Sequence, residues 1–151
     1  MREILFRGKI CRDCKGVTTQ KKYKQGDWAF GDLSHTNYNP PLIDQSNDDP
    51  VPVDPATVGQ YTGLTDKNGK RIFEGDIIKV TWGFAGRKPV VSYLFVEFAK
   101  GIFETKHIKK NKSYGMLSTY VSKEVGDCGV FCEVIGNLHD NPEMMEVQSD
   151  G

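Results

Sequence analysis

The chain has 151 residues, with 20 Lys and Arg against 20 Asp and Glu, and a formal net charge of +0 at pH 7. That balance excludes the strong overall positive field of a dedicated nucleic-acid binder. The length admits one or two small domains, not a large enzyme. No apolar run approaches the roughly 18 residues of a membrane helix, and the charged start MREILFRGKI lacks the form of a secretory signal. A cytoplasmic, reducing setting with no membrane partner is the expectation, and the four cysteines then form no disulfide framework.

Val and Ile number 22 against 11 for Leu and Ala, and Phe, Tyr and Trp add 16. Branched and aromatic side chains pack on a pleated surface and lose rotamer freedom in a helix, so the chain reads as mainly β. Residues 3–7 and 28–33 predict short strands around a polar, basic segment that carries Cys11 and Cys14. Residues 36–57 hold five of the seven prolines and four Asp, with no Lys or Arg. That composition predicts an exposed linker without regular structure, open to proteolysis, between an amino-terminal β subdomain (1–35) and a second domain (58–151).

From Val58 the pattern becomes regular. Asp66-Lys67-Asn68-Gly69 predicts a hairpin turn, with Asn-Gly supplying positive φ angles. Glu74-Gly75-Asp76 predicts a second turn, followed by a strand at 77–82 and a loop from Gly83 to Pro89. Residues 90–98 alternate with period 2 and are apolar on both faces, which predicts a central strand. Strands at 102–108 and 130–137 follow, and Asn141-Pro142-Glu143 has the form of the cap and first turn of a short terminal helix. Short strands joined by tight turns predict a small SH3-like barrel or a curled antiparallel sheet. Its expected interior includes Ile77, Val80, Leu94, Val96, Val134 and Ile135.

Cys11-Arg-Asp-Cys14-Lys-Gly16 has the form of a zinc knuckle, to be completed by Cys128 and Cys132. On a strand, residues four apart share a face about 13 Å from each other, too far to bind one ion. No metal and no cofactor are expected. His35, His107 and His139 lack metal-binding spacing, and no nucleophile elbow or phosphate loop occurs. His139-Asp140 is the one adjacent acid–base pair, and a polar loop explains it without catalysis.

The zero total hides segments of opposite sign. Residues 1–35 carry net +4, 36–57 net −4, 58–112 net +6 and 113–151 net −6. Lys106, Lys109, Lys110 and Lys112 cluster at one hairpin end, and Lys21, Lys22 and Lys24 in the amino-terminal loop. One reading is a phosphate-binding patch with Trp82, Phe84 or Tyr23 stacking on bases. The favoured reading sets basic against acidic segments, within a subunit or between copies.

MREILFRGK, DWAFGDL, VGQYTGLTDKNGKRIFEGDIIKV and EVIGNLHDNPEMM together resemble the YopX family of phage and prophage proteins. The resemblance covers both ends and the centre. It departs at CRDCKGVTTQKKYK and across 99–127. It implies a β-rich fold with an SH3-like barrel, a phage or prophage origin and no catalytic residues. The sequence thus points to a non-enzymatic phage or prophage accessory protein in the bacterial cytoplasm, acting through contacts with phage or host proteins and through self-association. A nucleic-acid-binding module using Lys106, Lys109, Lys110, Lys112 and Trp82 is the alternative.

Overall fold

A computed structural model describes residues 2–34, 39–121, 123–125 and 128–146. The chain forms two compact units, one through Tyr61 and one from Thr62 onward. His35 lies outside the described residues.

The first unit contains β1 (Phe6–Lys9), β2 (Cys14–Lys15), β3 (Lys22–Tyr23), β4 (Trp28–Ser34), β5 (Leu42–Asp44), β6 (Val51–Pro52) and the start of β7 (Gly59–Thr65). β1 lies between β4 and β7, and β5 and β6 continue the sheet beyond β4. Ile10, Tyr23, Ala29, Ile43, Val51 and Val53 are buried together as its core.

Of the expected linker 36–57, residues 36–38 lie outside the described residues, and residues 39–57 are not a linker. Ile43, Val51 and Val53 are fully buried, and a 3-10 turn covers Pro55–Thr57. Proline is tolerated because β6 is the edge of this ladder, and toward the residues after β1 Pro52 acts only as an acceptor, its carbonyl taking the Cys11 N–H at 3.0 Å. The short apolar pieces between the prolines are what the core uses.

Asp49, from the same segment, is buried and binds the loop that joins β2 to β3. Its carboxylate accepts from Thr18 N at 2.8 Å and from the backbone N–H and hydroxyl of Thr19. Gly16 allows this approach, since a Cβ there would fall 1.9 Å from Asp49 Oδ2. The Thr19 hydroxyl first, and then the Thr18 N–H, hold the Asp49 carboxyl below the ordinary value of 3.8. A carboxyl lowered by folding stabilises the fold above its unfolded value and loses that contribution as pH falls through the folded value. The protection factors of the Thr18 and Thr19 amides, taken against their intrinsic exchange rates, should therefore fall on acidification below 3.8, and Asp49→Asn should lower them already at neutral pH. Protection that ignores both changes would remove Asp49 as the anchor.

The second unit holds the end of β7, then β8 (Arg71–Phe73), β9 (Asp76–Phe84), β10 (Val90–Ala99), β11 (Ile102–His107), β12 (Ser113–Met116), β13 (Lys123–Val125) and β14 (Cys128–Asn137). Its antiparallel sheet runs β12-β11-β10-β9-β14-β13. β10 is central, as its two apolar faces require. Ile72, Ile78, Val80, Leu94, Val96, Leu117, Tyr120 and Cys132 form the main core on one face. Ile77, Phe95 and Ile108 form a smaller cluster with Leu138, Met144 and Met145.

The sheet does not close into a barrel among the described residues. β12 and β13 are its edges, and the β11–β12 ladder shifts register between Thr105 and Lys106. The expected terminal helix is a 3-10 turn over Pro142–Met145. Asn141 does not cap it, because its Oδ1 accepts from Asn137 N at 3.2 Å instead. Ile135 is 37 % exposed rather than interior. The β9–β14 pairing shifts between Val134 and Gly136, which takes Ile135 out of the alternation. In the Asp66–Gly69 turn only Gly69 has positive φ, at 78°.

Candidate functional site

The structure separates the residues that the nucleic-acid reading grouped together. Lys109, Lys110 and Lys112 are exposed on the turn between β11 and β12. Asn111 closes that turn, donating from its N–H to the His107 carbonyl at 2.8 Å. Burial first, then the charges of Lys110 and Lys109, lower the His107 pKa. Lys106 is half-buried and bonded to Glu97 at 2.7 Å. The hydrogen bond to Glu97 raises its pKa above the ordinary lysine value.

Trp82 does not join these lysines. Lys106 lies opposite Phe95, which lies opposite Ile77. Trp82 is five positions beyond Ile77 on β9, so alternation puts it on the other face. There its ring meets Tyr120 edge-on, with centroids 5.5 Å apart. In the amino-terminal loop Tyr23 is buried and unavailable for stacking, and Lys21 is bonded to Asp48 at 3.0 Å. The ion pairs Lys21–Asp48 and Lys67–Glu133 each join a basic segment to an acidic one inside a unit.

A feature that composition did not reveal lies on the Trp82 face. Trp82, Phe84, Thr119, Cys128, Gly129 and Val130 line an apolar cleft of about 320 Å³. Phe84 is 43 % exposed beside it, and Val90, cross-strand from Trp82, is 54 % exposed. The sequence signal was the row of Trp82, Phe84, Val90, Cys128 and Val130 on one face of three neighbouring strand ends.

Cys128 is exposed in this cleft, while Cys132 is buried and its thiol is pushed up to about 11 by burial. They share one face of β14, four residues apart, about 13 Å along the strand. Cys11 and Cys14 are half-buried in the first unit, and burial raises the Cys14 pKa. Among the described residues no group of three His, Cys, Asp or Glu side chains is placed to hold a metal.

The turn residues of the sequence blocks have structural work. Asp66 is buried and accepts from Asn68 N, Lys70 N and Val134 N, each at 2.9 Å. Asp76 accepts from Phe73 N at 2.8 Å, closing the Glu74-Gly75 turn. Asn137 accepts from His139 N and Asp140 N and donates to Asp140 Oδ2 at 2.9 Å. His139-Asp140 is thereby part of a hydrogen-bonded turn. These blocks specify turns that pin strands to one another.

The family model described as YopX protein matches residues 6–146, through all of these turns. The chain belongs to the YopX family. The match runs beyond the blocks that carry the resemblance and includes the cysteine loop and the 99–127 region. No curated protein matches this YopX-family chain. Among solved structures it is similar to the crystal structure of protein EF1440 from Enterococcus faecalis, at 21 % identity and a TM-score of 0.45, covering 97 % of this chain and 100 % of that one.

Proposed function

We propose that this YopX-family protein is a non-enzymatic phage or prophage accessory protein of the bacterial cytoplasm, acting through protein contacts, with a second copy of itself as one partner. The observation that carries this reading is the apolar cleft at Trp82, Cys128 and Val130, rimmed by exposed Phe84 and Val90. Contiguous exposed apolar surface of this kind marks contact sites on soluble proteins. A formal net charge of +0 removes the long-range repulsion between identical copies. The non-enzymatic reading is supported by the titratable groups that folding brings together. Asp49, Asp66, Asp76 and Asp140 are all committed to loop and turn hydrogen bonds.

Sedimentation velocity over a concentration series tests the contact. The wild-type chain should shift to a larger species as concentration rises. Phe84→Glu and Val90→Glu, both at exposed positions, should remain monomeric without losing β-sheet circular dichroism. A wild-type chain that stays monomeric throughout, or variants that associate as the wild type does, would refute the proposal.

A further inference from the structure

We infer that the opposite face of the same sheet binds single-stranded nucleic acid, with Tyr93 as the stacking ring and Lys79, Lys109 and Lys110 on the phosphates. Trp82, Phe84, Cys128 and Val130 of the cleft all lie on the other face. Cross-strand register lays out this face. One row reads Val91, Thr81, Phe131 across β10, β9 and β14, and the next reads Tyr93, Lys79, Glu133. Tyr93 is 44 % exposed and Val91 is 40 % exposed. The Ile108 N–H donates to the Tyr93 carbonyl at 3.2 Å, so the turn that carries Lys109 and Lys110 is fixed at the flank of Tyr93. Lys79 stands directly across the strand pair on the other flank. An exposed aromatic ring thus has a lysine position on each flank, half-buried Lys79 on one side and exposed Lys109 and Lys110 on the other.

That arrangement suits a chain of unpaired bases and phosphates. A base stacks on an aromatic ring only when it is free of its partner strand, and stacking tolerates any base. The described helical elements are short 3-10 turns, too small to enter a major groove and read a duplex. Glu104 on this face is buried, opposite Glu97, and the other two carboxylates have local partners. Glu133 is bonded to Lys67 at 3.3 Å, and Glu97 is bonded to Lys106. Lys67 also lies 4.7 Å over the Phe131 ring, so Phe131 is capped and Tyr93 is the open ring.

The test is fluorescence anisotropy on the full chain with a labelled oligothymidylate, an oligouridylate of equal length and the corresponding DNA duplex, at several salt concentrations. Single strands should bind more tightly than duplex, and the two single strands tell DNA from RNA as the preferred source. About three neutralised phosphates give a log–log salt slope of roughly −2. Tyr93→Ala should weaken binding roughly tenfold, while Tyr93→Phe, which keeps the ring, should retain it. Lys109→Glu with Lys110→Glu should flatten the slope. Phe84→Glu, on the other face, should bind as the wild type does, so this inference stands apart from self-association. Tighter duplex binding, an unchanged Tyr93→Ala, equal displacement by polyglutamate, loss of binding in Phe84→Glu or no binding at low salt would each overturn it.

Discussion

Asp66→Ala should destabilise the chain by about 3 kcal/mol. The Asp66 carboxylate holds three backbone donors from two separate places, Asn68 and Lys70 in the hairpin turn and Val134 in β14. Alanine leaves all three without their acceptor. Water replaces it at the exposed turn, so the two bonds lost there cost about 1 kcal/mol together. Val134 N lies within the β14 ladder beside the register shift, and an unmet donor there costs about 2 kcal/mol. The melting temperature should fall by about 10 °C. Asp66→Asn keeps Oδ1 for the turn but presents an amide toward Val134, so its effect should be intermediate. A loss below about 0.5 kcal/mol for Asp66→Ala, the range of ordinary surface changes, would show that the turn is not pinned to β14 by this residue.

Leu94→Ala and Ile135→Ala should differ by several-fold, although unbroken alternation places both in the core. Leu94 is fully buried between Ile78 on β9 and His107 on β11. Its truncation removes buried surface and leaves a cavity, at a cost of about 3 kcal/mol. Ile135 is 37 % exposed because the register shift turns it outward, and its truncation should cost less than about 1 kcal/mol. Urea denaturation of both variants measures the difference. Equal losses would mean that β14 pairs without the shift.

How much was legible in the sequence follows from what each element depends on. β10 was legible because the period-2 pattern of residues 90–98, apolar on both faces, has one stable place in a sheet, the centre. The Asp66–Gly69 turn was legible because its chemistry is local. β5 and β6 were not, since strands of three and two residues have no period, and the prolines around them count as breakers unless the edge position is known. The register shift at Ile135 was not legible either, because a strand continues the same alternation on paper whether or not its partner slips. The candidate sites show the same limit. Composition selects Trp82 for stacking, and alternation places it correctly on the Ile78 face. Only the packing of Tyr120 against it, and the open space over Tyr93, assign the two rings to different roles.

The most direct test of self-association through the Trp82 cleft is the labelling rate of the Cys128 thiol as a function of protein concentration, followed peptide by peptide in a mass spectrometer. Cys128 is exposed in the cleft, and Cys132 on the same strand is buried and serves as the internal control. If a second copy covers the cleft, Cys128 labelling slows as concentration rises, Cys132 stays unlabelled, and Val90→Glu restores the fast rate at every concentration. A Cys128 rate that is the same in dilute and concentrated protein would contradict the account.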